Sequence, residues 1–131
     1  MSVSRQRTLR IAFVAYALVL FIATHKPRVD VNVVPGFRLD LFVHAGAFGL
    51  WTLLLAATGW LGDPRTVRGF LLLVAVAVAY AVADEASQAV PIFERVFDLR
   101  DMAANVSGAL LAAVVATVSR LFWDRQSAAG Q

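Results

Sequence analysis

Three short spacings set acids, a histidine and two carboxamides where they could act together: Asp40-x-x-x-His44, Asp84-Glu85-x-x-Gln88 and Asp101-x-x-x-Asn105. On a helix, residues three or four apart share a face about one turn apart, so each spacing presents polar side chains on one side of its helix. A carboxylate beside an imidazole suits general acid–base chemistry. His44, Asp84, Glu85 and Asp101 are therefore the candidate catalytic groups. Asp40, Gln88, Arg95 and Asn105 are the candidate substrate-binding groups, with the planar fork of Arg95 suited to a phosphate. No dedicated metal-ligand spacing accompanies them, and neither a metal nor another cofactor is expected.

The elements that must position these residues are apolar. Of 131 residues 60% are hydrophobic, above the roughly 45–50% usual in soluble domains, which reads as an integral membrane protein of one domain. The formal net charge is only +3, and the arginines flank apolar runs instead of clustering, so nucleic acid is not an expected partner; the lipid bilayer is. With no cysteine, disulfides and thiolate metal sites are excluded. The first apolar run, Ile11 to Thr24, follows Arg5, Arg7 and Arg10 and has no small-x-small cleavage site before His25, so it reads as an uncleaved span. The second, Leu41 to Leu61, has the ~20 residues that cross a bilayer. The third, from Gly69, reaches Asp84 too soon to span, so its helix must continue through Asp84 and Glu85 toward Val90, where Pro91 discourages more helix. The expected architecture is an all-α bundle of four transmembrane helices, at about residues 9–24, 41–61, 69–90 and 101–123.

Four spans place both termini and the 62–68 turn on one side. That side carries Arg5, Arg7, Arg10, Arg65, Arg68, Arg120 and Arg125, against Lys26, Arg28, Arg38, Arg95 and Arg100 on the other. Because Lys and Arg near the spans set orientation, this imbalance predicts a multi-pass protein of the cell membrane with both termini cytoplasmic. The three polar pairs would then share one membrane depth at the outward end.

Blander roles exist for several of these residues. Asp40 and Asp101 stand at helix N-termini, where an acid caps free N–H groups and suits the helix dipole, and Asp98 with Asp101 resembles a capping arrangement. Asn105 could hydrogen-bond between helices, while Ala104, Gly108 and Ala112 form a close-packing row. Asn105-Val106-Ser107 matches a glycosylation sequon but lies too near the bilayer to serve. Asp84 and Glu85 resist such readings: they lie toward a helix C-terminus, where the dipole disfavours negative charge, so they need a partner. Arg95, folded back beyond Pro91, is the expected one, with Arg100, His44, a metal or a substrate as the others.

Residues 40 to 112 resemble the VanZ-like family of bacterial membrane proteins. Asp40 and His44 are similar to its Asp-x-x-x-His, Asp84, Glu85 and Gln88 to its Asp-Glu-x-x-Gln, and Arg95, Asp101 and Asn105 to its Arg, Asp and Asn. Leu41 replaces the lysine usual after the first Asp, and the family's Pro-Gly-Arg turn appears as the longer Pro91 to Arg95, without the glycine. The resemblance implies a multi-span envelope protein linked to glycopeptide (teicoplanin) resistance or to envelope lipid and glycan metabolism, with a lipid-linked or cell-wall ligand. Two other expectations stand beside it: a membrane enzyme acting on a polar or phosphorylated lipid headgroup, and an assembly subunit whose polar cluster only locks helices together. The oligomeric state is not legible in the chain.

Overall fold

The structure, a computed structural model, describes residues 3–26, 38–90 and 97–129, with side chains as far as Ser119 in the last stretch. Among the described residues there are four α-helices and no strand: α1 Val3–Thr24, α2 Leu39–Thr58, α3 Val67–Gln88 and α4 Leu99–Ala129. Each is long and apolar enough to cross a bilayer, so the chain is a multi-pass membrane protein built as an all-α four-helix bundle.

The helix ends depart from the expected spans for local reasons. Helix α1 begins at Val3, before the apolar run, because Gln6 and Arg10 continue it and both donate to the carbonyl of Thr58, at 3.3 and 3.2 Å. These two donors meet the C-terminal carbonyls of α2, where a cation is favoured. Helix α2 stops at Thr58 and not at Leu61, since Gly59 adopts φ +70°, the left-handed cap that side chains disfavour. Helix α3 starts at Val67, where the Thr66 hydroxyl accepts from the Gly69 amide at 3.0 Å and caps it. It ends at Gln88, two residues short of Val90.

Helices α2 and α4 make the largest interface and touch almost backbone to backbone. A Cβ on Gly108 would run into the carbonyl of Ala45, and one on Gly49 would lie 3.3 Å from the Gly108 carbonyl oxygen. Small residues permit this approach, and dispersion rewards it where lipid tails supply no hydrophobic drive. Aromatic side chains hold the other two helices against α2. Trp51 stacks on Tyr80 of α3 with ring centroids 4.3 Å apart, meets Phe13 of α1 edge-on at 5.2 Å, and the Tyr16 hydroxyl donates to the Ala47 carbonyl at 3.0 Å. Ile11, Leu18, Leu71 and Leu111 point away from the bundle, as suits a lipid-facing surface.

Candidate functional site

Each of α2, α3 and α4 carries a buried stripe that is apolar or small through most of its length and polar at one end. On α3 the stripe runs Gly69, Leu73, Ala77 and Ala81, then continues as Asp84, Glu85 and Gln88, all buried. On α4, Asn105 and Asp101 extend the row of Ala116, Ala112, Ala109 and Gly108. On α2, His44 and Asp40 lie one and two turns before Phe48. The packing that buries Phe48 and Leu73 therefore turns the polar residues inward at the same end of the bundle. Asp84, Glu85, Gln88, Asp101 and Asn105 are each at most 4% exposed, which marks a site dry enough for every missing hydrogen bond to be costly.

One half of the cluster joins α1 to α3. The Thr24 hydroxyl donates to Asp84 Oδ1 at 3.0 Å, and Gln88 Nε2 donates to Asp84 Oδ2 at 3.1 Å. His25 Nδ1 lies 4.0 Å from Asp84 Oδ1 and 2.8 Å from the Phe21 carbonyl, while its Nε2 lies 2.8 Å from Ser87 Oγ. A carbonyl only accepts, so Nδ1 carries a proton there. Glu85 accepts the backbone N–H of Asp98 at 2.9 Å, which ties the end of α3 to the start of α4, and Gln88 Nε2 also lies 3.4 Å from Glu85 Oε2. Among the described residues, neutral donors meet the two acids that the helix dipole disfavours, and His25 lies beside Asp84.

The other half joins α2 to α4. Arg38 lays its fork on Asp40, with Nε 2.9 Å from Oδ1 and Nη2 2.7 Å from Oδ2, and Nη2 also reaches to 3.6 Å from Asp101 Oδ1. The hydrogen bond to Asp40 raises the pKa of Arg38 above its ordinary value. His44 bridges two residues of α4, its Nδ1 3.0 Å from Asn105 Oδ1 and its Nε2 3.5 Å from Asp101 Oδ2.

Gln88 Oε1 and Asn105 Nδ2 are buried in this cluster and make no hydrogen bond among the described residues. Gln88 cannot exchange its head atoms, since Nε2 faces two carboxylates. Exchanging those of Asn105 would only leave its oxygen in the open position instead of its nitrogen. An open acceptor and an open carboxamide atom therefore remain in a dry site.

The structure brings together seven of the eight sequence-predicted residues, Asp40, His44, Asp84, Glu85, Gln88, Asp101 and Asn105, at one end. Arg95, expected to pair with Asp84 or Glu85, lies outside the described residues. The pairing within the set differs from the spacing argument: His44 faces Asp101 and Asn105 across the α2–α4 seam, while Asp40 takes Arg38. The capping reading belongs to Asp98, whose Oδ1 accepts the Arg100 amide at 2.8 Å and whose carbonyl accepts that of Met102. Thr24, His25 and Ser87 were not singled out from sequence. Their signal was position, a histidine and two hydroxyls at the same membrane depth as the acids. Among the described residues no three His, Asp or Glu side chains converge as metal ligands.

Comparison with family models, with curated proteins and with solved structures finds no match for the chain.

Proposed function

We propose that this chain is a VanZ-like envelope protein of the cell membrane whose polar cluster faces outward and binds a lipid-linked or cell-wall ligand. The observation that carries the reading is the pair of open positions, Gln88 Oε1 and Asn105 Nδ2, each on a residue with no exposed surface. A cluster that only locks helices has every polar group satisfied internally, because each unpaired one costs about 1–3 kcal/mol. Open positions in a dry site suit a ligand that brings its own donor and acceptor. The test compares teicoplanin susceptibility and the profile of lipid-linked precursors between a deletion strain and its parent. A changed susceptibility or precursor profile supports the reading; identical behaviour in both assays overturns it.

A second reading has one specific observation in its favour. His44 stands between the Asn105 carboxamide and the Asp101 carboxylate, an oriented imidazole of the kind that moves protons in a membrane enzyme acting on a polar lipid headgroup. Accumulation of one unprocessed lipid species in the deletion strain, with catalytic turnover restored by purified protein, would favour this reading over simple binding.

A further inference from the structure

At the opposite end of the bundle, the start of α3 and the facing part of α4 line an open groove of about 350 Å³. Val67, Phe70, Leu71, Val114 and Val118 line most of it, with Arg65 and Thr66 also against it. Arg68, on the next turn of the surface, opens onto an adjoining hollow of about 330 Å³ beside Trp60 and Leu72. We propose that this place binds an anionic phospholipid, one acyl chain lying along the groove and the phosphodiester resting on Arg68 and Arg65.

The charges support an anion. Asp63 takes the fork of Arg65, with Nε 2.8 Å from Oδ2, so one acid stands against two arginines in this turn. Arg68 is exposed and makes no ion pair among the described residues. The neighbouring end of α1 adds Arg5, Arg7 and Arg10 and no acid. The groove lies against the first turns of α3, whose N-terminus presents the positive end of its dipole. The walls select a lipid over a free anion, because they are hydrocarbon and belong to the spans themselves. Phosphatidylcholine would offer the same chain, but its ammonium cancels the charge that the arginines read. Basic pockets between transmembrane helices bind anionic headgroups in this manner.

The test uses the full chain in detergent and measures binding of phosphatidylglycerol and of phosphatidylcholine with the same acyl chains by native mass spectrometry. Phosphatidylglycerol should bind more tightly. Arg68→Ala should weaken it about fivefold, and Arg65→Ala with Arg68→Ala further, by the ~1 kcal/mol each basic residue contributes near an anionic surface. Arg5→Ala with Arg7→Ala, which leaves the groove intact, should change affinity less than the Arg68 variant. Val114→Trp, which fills the groove, should weaken both lipids. Equal binding of the two lipids by the wild type, full retention of phosphatidylglycerol by the double variant, or indifference to Val114→Trp would each overturn the proposal.

Discussion

The Thr24 hydroxyl donates to Asp84 Oδ1 at 3.0 Å, so the last residue of α1 is bonded to a carboxylate buried in α3. Both residues are more than nine-tenths buried. Thr24→Val keeps the shape and removes the donor, and it should cost about 1.5–3 kcal/mol, the usual worth of a hydrogen bond to a charged group. Thr24→Ser should recover most of that loss. Thermal unfolding in detergent measures both, and a valine variant as stable as wild type would show that the bond carries nothing.

The α2–α4 seam makes an asymmetric prediction. Gly108→Ala drives a Cβ into the Ala45 carbonyl, whose backbone cannot yield cheaply, whereas Gly49→Ala asks its neighbour to give by only a few tenths of an ångström. The first should destabilise by about 1–3 kcal/mol or more, the second by clearly less. Equal melting temperatures for the two variants would contradict the close approach.

Arg38 joins Asp40 and Asp101 across the same seam. Arg38→Ala should lower the melting temperature, and Arg38→Lys should restore it only in part, since an ammonium cannot supply the two parallel contacts of the fork. Complete rescue by lysine would reduce the contact to simple charge.

If the cluster is the ligand site, Glu85→Gln and His44→Ala should insert into the membrane at wild-type levels and fail to complement a deletion strain. Membrane fractionation checks the first half and the phenotype of the complemented deletion strain the second. Normal complementation by both variants would return the cluster to a packing role.

The lysine and arginine imbalance predicts that both termini face the cytoplasm. A phosphatase active only outside the cytoplasm should be silent when fused after Gln131 and active when inserted near Asp30. The reverse pattern would place the cluster on the cytoplasmic side and remove the outward-facing ligand site.

The helices were legible because each required a long apolar run, and the acids were legible because so few other polar residues interrupt those runs. Their depth was readable from spacing: Glu85 continues the i, i+4 row of Leu73, Ala77 and Ala81, with Asp84 beside it. Partners were not. Asp40 and His44 share a face of α2, yet the side chains they meet come from Arg38 and from α4, which spacing along one helix cannot specify. The compensation of Asp84 was sought among arginines because a buried charge suggests a countercharge. Among the described residues a threonine, a glutamine and a histidine meet Asp84, each unremarkable in its own stretch of sequence, while Arg95 lies outside them. Helix ends other than Thr24 were missed by two to six residues, because the Thr66 hydroxyl cap and the left-handed Gly59 are local features that hydropathy does not register.

The tie between Glu85 and the Asp98 amide also sets an order of events during synthesis. When α3 leaves the ribosome, Thr24 and His25 have already been made and can receive Asp84 as the helix enters the bilayer. Glu85 must wait for a donor thirteen residues further along the chain. Until α4 arrives, α3 therefore carries a carboxylate without this bond into the membrane, which favours holding the third helix beside the translocation machinery until the fourth joins it. The nascent protein would enter lipid as a pair of helices that complete each other, and a chain truncated before Asp98 would leave its third span the poorest substrate for release.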